Sequence, residues 1–234
     1  MSCAPFDTLN VATHVGDDPE RVAQNLATAA TILGVSKDHI LFLSQVHGTT
    51  FHVAQAPFDH FASMAMEGDA VIADDPSVAC AVRVADCVPI LLADLRTGSA
   101  AAVHSGWRGT ERNIAGCVVR AMEHRGSKSS DIVAAIGPHI EVCCFETGSD
   151  IALRLGACST ASDVVREVPG KGPHVDLRSI IHAQLVEAGV APGGIDHVRG
   201  CTVCDVDRFF SYRRDGQRSG RLLAAIVPRR ASQW

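Results

Sequence analysis

The feature that most constrains the fold is a series of short apolar runs in the middle of the chain. The runs cover Asp69–Ala73, Val78–Val84, Ile90–Asp94 and Ala100–His104, and turn-forming residues separate them. Apolar runs of this length predict β-strands, and these runs lack the polar alternation of a strand with one face in solvent. We therefore predict a central sheet that is covered on both faces.

Helical patterns lie on both sides of these strands. The first helix is predicted to start at Asp17-Asp18-Pro19-Glu20 and to end at Gly34, because acidic residues and an early proline favour a helix start and glycine favours a helix end. Strands over Ile40–Val46 and Phe51–Ala54 are expected to pair with each other. The remaining predicted elements are helices over Arg112–His124, Asp150–Leu155 and Leu177–Ala188, and strands over Ile132–Ile136 and Leu222–Val227. This alternation predicts an α/β (mixed α+β) fold, with residues 1–234 forming a single domain whose central mixed β-sheet is covered by helices.

Composition excludes several functional classes. Of the 234 residues 47% are apolar and 20% are charged, which is ordinary for a globular protein. The net charge of −5 argues against a nucleic-acid partner. No apolar run is long enough to cross a membrane, and the N-terminus does not resemble a secretory signal, so a cytoplasmic location is expected. The nine cysteines are odd in number and several lie in apolar segments, so a disulfide framework is not predicted.

Three predicted strands end in a potential metal ligand that small or turn-forming residues follow. These ligands are His47, Cys87 and His104. In α/β sheets, ligands bind beyond the carboxyl ends of strands, so the three side chains are candidates to converge there. Two histidines and one cysteine form a known catalytic zinc set that leaves a fourth position open. The same residues are also compatible with ordinary buried or strand-end roles, because their sequence spacing is wide.

The sequence around these residues resembles a known family. The segments Gln-Val-His-Gly, Ala-Asp-Cys-x-Pro-Ile-Leu-Leu-Ala-Asp and His-Ser-Gly-Trp-Arg-Gly occur in this order, followed by Ala-Ala-Ile-Gly-Pro-His-Ile-Glu-Val-Cys-Cys-Phe-Glu-Thr-Gly, Gly-Cys-Thr-Val-Cys and Phe-Phe-Ser-Tyr-Arg-Arg-Asp-Gly. Together they resemble the multi-copper polyphenol oxidoreductase (laccase-domain) family, also known as YfiH/LACC-type purine nucleoside phosphorylases. The resemblance extends from Leu9 to Ile226.

The resemblance implies a mixed αβ fold and a zinc ion bound by His47, Cys87 and His104. It implies purine nucleosides and phosphate as substrates: phosphorolysis of adenosine, inosine, guanosine and methylthioadenosine, and deamination of adenosine. Family members usually carry a strand and a Phe-x-Thr-Arg-x-Gly-Gly turn upstream of the segment where Met1 stands. Either the start of the sequence is misplaced, or this chain lacks that strand and one candidate arginine.

Phosphorolysis also needs a cation to hold phosphate. Arg108 follows His104 closely, and Arg213 and Arg214 lie in a turn-rich segment. The forked donors of a guanidinium match the oxygens of phosphate, so we predict these three arginines as substrate-binding residues. Roles in surface ion pairs are the alternative.

Other patterns give competing interpretations. His139-Ile140-Glu141 and Cys201-Thr-Val-Cys204 partly match the zinc deaminase signature, but the proline before the first cysteine is absent. A structural role is therefore predicted for Cys201 and Cys204, and packing for Cys143 and Cys144. A metal-independent hydrolase with Cys87 as nucleophile and His104 as base is a second hypothesis. A copper-dependent polyphenol oxidase ranks last, because methionine-rich and multi-histidine clusters are lacking.

Overall fold

The structure is a computed structural model that describes residues 1–7, 9–54 and 60–229. Its helices are α1 (Pro19–Leu33), α2 (His60–Ala65), α3 (Trp107–Glu111), α4 (Ile114–His124), α5 (Ser149–Ala157), α6 (Leu177–Glu187) and α7 (Tyr212–Asp215). Its strands are β1 (Ile40–Leu41), β2 (Phe51–Val53), β3 (Ala70–Ala73), β4 (Ala79–Val84), β5 (Val88–Asp94), β6 (Ala100–Ser105), β7 (Ile132–Ile136), β8 (Val165–Arg166), β9 (His174–Val175), β10 (Ile195–His197) and β11 (Leu222–Ile226).

The strands form two main sheets and one small pair. The six-stranded sheet has the order β10-β7-β5-β6-β3-β2, and the three-stranded sheet has the order β1-β4-β11. Both sheets are mixed. In the six-stranded sheet β2 runs parallel to β3, whereas β6 runs antiparallel to both β3 and β5. In the three-stranded sheet β1 runs parallel to β4, whereas β11 runs antiparallel to it. The predicted mixed αβ fold is confirmed. Strands β8 and β9 form a separate antiparallel pair.

Alternating burial along the strands explains how the two sheets stack. In β3, Ile72 belongs to the core that also contains residues of α4, α5 and α6, whereas Val71 faces the core between the two sheets. In β4, Val82 faces that same inter-sheet core, and Ala81 packs toward α1. Successive side chains of a strand point to opposite faces, so each strand contributes to two cores. The layers are therefore helices, six-stranded sheet, three-stranded sheet and α1. The six-stranded sheet is covered on both faces, with helices on one face and the second sheet on the other.

The first helix agrees with its predicted bounds. Asp18 accepts a hydrogen bond from the Glu20 backbone N–H, and Gly34 ends the helix in a left-handed conformation with φ of 72°. The predicted helix over Arg112–His124 is present as α4, which begins at Ile114 because Asn113 has φ of 56° and caps Gly116 with its side chain. Asparagine tolerates this backbone conformation and is a favoured helix cap. The short helix α3 that precedes Asn113 was not predicted.

The expected pairing of Phe51–Ala54 with Ile40–Val46 is also wrong. Strand β1 covers only Ile40–Leu41 and pairs with β4 in the small sheet, whereas β2 pairs with β3 in the large sheet. The chain therefore crosses from the small sheet to the large sheet between β1 and β2. None of the helices in the described ranges has the length and apolar character needed to span a bilayer.

Candidate metal centre and cavity

Cys87 lies in the short connection that carries the chain from β4 in the small sheet to β5 in the large one. The preceding residue, Asp86, has φ of 88°, a conformation that side-chain-bearing residues rarely adopt. Its buried carboxylate accepts hydrogen bonds from the Thr202 hydroxyl and the Arg213 backbone N–H, both at 2.6 Å. Asp86 therefore fixes the turn that presents Cys87 by tying it to two distant segments.

His104 lies near the end of β6 and is held by Asp69. The antiparallel register that pairs Ala70 with Val103 places Asp69 opposite His104, and the His104 backbone N–H donates to the Asp69 carbonyl at 2.7 Å. The His104 Nδ1 also lies 2.8 Å from Asp69 Oδ1. Both residues are buried, with 3% and 0% of their surface exposed. Since an ionised carboxylate only accepts hydrogen bonds, this contact fixes a proton on Nδ1 and leaves Nε2 for another partner.

His47 reaches the same point from the connection between β1 and β2. Its backbone has φ of 59°, and its N–H donates to Asp69 Oδ1 at 2.9 Å. The His47 and His104 rings meet edge to face with their centroids 4.8 Å apart. Gly106 leaves the space that this approach requires, because a Cβ there would lie 2.7 Å from His47 Cδ2 and 3.1 Å from Cys87 Sγ.

The three predicted ligands are thus brought together, with their donor atoms all within 4.8 Å of one another. Sequence reasoning missed Asp69, which contacts both histidine segments. An aspartate directly before an apolar strand was the available signal, but it also matches an ordinary turn residue. The structure supports an orienting role, because carboxylates commonly hold the second nitrogen of a metal-binding histidine.

The three side chains also perturb each other's protonation. Burial raises the pKa of the Cys87 thiol, but the neighbouring His104 and His47 rings outweigh this effect and lower it to about 6. Burial lowers the pKa of His104, but Cys87 and Asp69 outweigh it and raise this pKa to about 9. Without a metal, the pair is therefore a thiolate beside a charged imidazole near pH 7. A thiolate is also the form in which cysteine binds metals.

A cavity of about 590 Å³ opens above this centre. Aromatic and aliphatic side chains line one part of it, including Trp107, Ile140, Phe145, Leu177 and Tyr212. Basic side chains line another part: His14, Arg83, Arg213 and Arg221. The volume is in the range of small-molecule sites, and an apolar wall with a few charged groups is their usual composition.

The predicted arginines occupy three different environments. Arg213 lines the cavity, and its Nη1 donates to the carbonyls of Cys144 and Glu146 at 3.2 Å. Arg108 is exposed and its guanidinium lies over the Trp107 ring, 4.4 Å from the centroid. Arg108 is not among the residues that line the cavity.

Arg214 is engaged elsewhere. Its guanidinium donates to the backbone carbonyls of Thr202 and Phe209 and pairs with Asp215. Two arginines that the sequence did not single out, Arg83 and Arg221, line the cavity instead. Burial and the charges of these two arginines lower the pKa of His14, which indicates a concentration of positive charge at this wall.

The fold and the site together define an α/β protein with a candidate metal centre beneath a cavity. Comparison with known proteins places it more narrowly. Residues 1–229 match the family model described as multi-copper polyphenol oxidoreductase laccase, and the chain belongs to this family. The resemblance found in the sequence is confirmed.

Relatives and solved structures agree with this assignment. A protein of Mycobacterium bovis named purine nucleoside phosphorylase is 38% identical over 230 residues, which cover 97% of this chain and 87% of that protein. A protein from an unknown prokaryotic organism, named adenosine deaminase, is 36% identical, with 94% and 87% covered. The crystal structure of YlmD from Geobacillus stearothermophilus superposes with a TM-score of 0.89 at 34% identity, covering 97% of this chain and 87% of that chain.

Proposed function

We propose that this protein is a zinc-dependent enzyme of purine nucleosides. It would catalyse phosphorolysis of adenosine, inosine, guanosine and methylthioadenosine to the free base and the (methylthio)ribose 1-phosphate, and deamination of adenosine to inosine. The observation that carries the proposal is the convergence of His47, Cys87 and His104 at the base of the cavity. The names of the two relatives support the substrate class.

The donor set suits zinc. His47, Cys87 and His104 would supply three ligands, and the cavity would give access to a fourth position, as in catalytic zinc sites. The hydrogen bond to Asp69 holds the His104 ring in one orientation, which raises the basicity of the ligating nitrogen. When bound, zinc supplies Lewis acidity and makes water a usable nucleophile near neutral pH.

The cavity wall would bind the rest of the substrate. Phe145 and Trp107 would supply apolar surface to a purine ring. Arg213, Arg221 and Arg83 would offer guanidinium groups to a phosphate dianion, which would be costly to place in a partly dry cavity without a cation. Such an arrangement would hold phosphate next to the ribose of a nucleoside whose base lies against the aromatic wall.

The deciding experiment is turnover by the purified full chain. Adenosine, inosine and guanosine would be incubated with and without phosphate, and free base, ribose 1-phosphate and ammonia would be measured together with bound metal. We expect phosphate-dependent base release and, with adenosine, ammonia release. The His47→Ala variant, with an intact fold by circular dichroism, should lose both activities. A metal-free wild type with full turnover would contradict the zinc requirement.

A second function has support from one observation. Cys87, His104 and Asp69 lie in contact in that order, which is the arrangement of a cysteine nucleophile, its base and an orienting carboxylate. A metal-independent hydrolase would use this row directly. The Cys87→Ala variant separates the alternatives: retained metal with lost turnover would favour the hydrolase. A copper-dependent oxidase would instead require copper in the purified protein and turnover of phenols.

A further inference from the structure

A second group of metal-binding side chains lies away from His47, Cys87 and His104. The sulfur atoms of Cys143, Cys144, Cys201 and Cys204 all lie within 4.8 Å of one another. Cys204 Sγ is 3.3 Å from Cys144 Sγ and 3.8 Å from Cys143 Sγ. None of the four is fully buried, and Cys143 and Cys204 are exposed. A solvated cation could therefore reach the cluster.

We propose that these four cysteines bind a zinc ion as a structural tetrathiolate site, separate from the catalytic centre. A tetrahedral zinc with bonds of about 2.3 Å to sulfur places its ligand atoms about 3.8 Å apart. The separation between Cys143 and Cys204 is 3.8 Å, that between Cys144 and Cys204 is 3.3 Å, and all the sulfur atoms lie within 4.8 Å of one another. Four protein ligands leave no open position, so the site would hold the fold and not activate a substrate.

Two of the four cysteines lie on one tight turn. Cys201 and Cys204 form a Cys-x-x-Cys turn, in which the Asp205 N–H donates to the Cys201 carbonyl at 3.0 Å. The spacing of two residues between paired cysteines is typical of zinc sites.

The two segments are held together independently of the cysteines. His139 and Cys201 form a parallel bridge, in which the Thr202 N–H donates to the His139 carbonyl at 3.0 Å. The cluster is thus a consequence of the fold, and a metal would find its ligands already assembled. Cys204 is close to two different cysteines, so the geometry does not single out one disulfide pair.

Two guanidinium groups compensate the charge that such a site would carry. Zinc with four thiolates has a net charge of −2. Arg213 donates to the Cys144 carbonyl, and Arg214 donates to the carbonyls of Thr202 and Val203. One arginine is therefore anchored on each cysteine-bearing segment. The predicted phosphate ligand Arg214 acquires a structural role in this arrangement.

The site would also brace the cavity. The first segment continues into Phe145, which lines the cavity, and the second contains Thr202, whose hydroxyl binds the Asp86 carboxylate beside Cys87. A metal that links the segments would restrict the movement of both. This inference does not depend on the reaction that the cavity catalyses.

Metal stoichiometry tests the proposal. The full chain would be purified from zinc-supplemented medium, and zinc per chain would be measured by mass spectrometry of the elements for wild type, C201S/C204S, C87S and the control C3S, whose cysteine lies outside both groups. We expect two zinc ions in wild type and C3S, and one in each of the other variants. A folded C201S/C204S variant with the zinc content of wild type would overturn the proposal.

A second measurement covers the case in which C201S/C204S does not fold. The C87S variant would be loaded with Co²⁺ and its absorption recorded. A tetrathiolate site should give intense sulfur-to-cobalt charge-transfer bands and tetrahedral ligand-field bands. Their absence, or a disulfide within the cluster in the protein purified under reducing conditions, would overturn the proposal. If wild type bound a single zinc ion, and this ion were lost in C201S/C204S but kept in C87S, the result would support the four-cysteine site and contradict the proposed catalytic site.

Discussion

The two groups of ligands in this molecule differ in almost every physical respect. The first group, His47, Cys87 and His104, supplies two nitrogen donors and one sulfur donor at the base of a cavity. Asp69 forms hydrogen bonds with the His104 ring and with the His47 backbone N–H. The four cysteines supply identical donors on two surface segments that bridge each other through backbone hydrogen bonds. With the proposed zinc ions bound, the first arrangement would leave one metal position for a substrate, whereas the second would leave none. Zinc would therefore take part in catalysis in one region and stabilise the structure in the other.

The largest expected effect comes from removing the central ligand of the catalytic group. Cys87→Ala should lower turnover on the order of 10³-fold or more, because groups that act as a unit fail together when one is removed. The free energy of unfolding should change little, since the cores lie elsewhere. Nucleoside turnover, zinc content and thermal unfolding would be measured side by side, with C3S as the control. Full zinc occupancy in the variant would contradict the ligand assignment.

Asp69→Asn should have the next largest effect. The asparagine keeps the size of the side chain but removes the charge that orients His104, and losses of such partners cost on the order of 10- to 100-fold in metal affinity or activity. Zinc affinity would be measured by competition with a chelating dye. The expected loss is confined to the catalytic zinc. Equal weakening of both zinc ions would show that Asp69 supports the fold as a whole.

Gly106→Ala tests how closely the catalytic ligands are packed. The glycine has φ of −73°, so alanine is tolerated by the backbone, and the effect comes from its Cβ alone. That atom would lie 2.7 Å from His47 Cδ2, so the ring must move. We expect a loss of turnover on the order of 10- to 100-fold, because small displacements of reacting groups have such effects. Gly193→Ala, where nothing lies within 4 Å of the added Cβ, is the matched control. Wild-type turnover in both variants would show that the site adapts.

The arginines test whether the two proposed activities can be separated. Arg213→Ala should reduce phosphorolysis on the order of 10-fold, about 1.4 kcal/mol, and deamination less, because only phosphorolysis brings in a dianion. Arg108→Ala should have a smaller effect on phosphorolysis, since Arg108 lies over Trp107 and outside the cavity wall. Base release with and without phosphate, with ammonia release, would be compared for both variants. A larger phosphorolysis defect in Arg108→Ala than in Arg213→Ala would indicate that Arg108 binds the phosphate.

The smallest effect is expected at the link between the two regions. Thr202→Val removes the hydroxyl that donates to Asp86 and leaves the neighbouring Cys201 in place. The lost hydrogen bond to a charged group should lower the free energy of unfolding by about 1.5–3 kcal/mol. Turnover should fall modestly while zinc stoichiometry stays the same. Denaturant unfolding would test this, with Thr28→Val on the exposed face of α1 as the control. Loss of zinc from either group would show that the regions depend on each other.

The sequence predicts most of the large elements because their signals are local. Strands β3 to β7 are continuous apolar runs, and α1 has both of its end signals, Asp18 and Gly34. Strands of two or three residues, such as β8, β9 and β10, have no periodicity to detect. The pairing of β1 and β2 with different sheets depends on contacts between distant residues. Helix α3 covers five residues, which are too few to show a helical repeat.

The candidate site divides in the same way. The positions of His47, Cys87 and His104 at strand ends could be predicted, because each stands in a distinctive segment. Asp69 could not, since only the antiparallel register of β3 and β6 places it opposite His104. The cysteine cluster could not be predicted either, because 60 residues separate Cys144 from Cys204 and no local spacing joins them. Arg221 was not predicted as a cavity residue, because it lies outside the family motif that contains Arg213.

The unusual backbone of Asp86 limits which residues can replace it in this chain. Glycine would relieve the positive φ but would remove the carboxylate that binds Thr202 and Arg213. Alanine or serine would retain the strain without supplying two acceptors. Asparagine, which tolerates this conformation and keeps one acceptor oxygen, is the mildest replacement. In a saturation library selected for turnover we therefore expect Asp86 to tolerate fewer residues than Cys117.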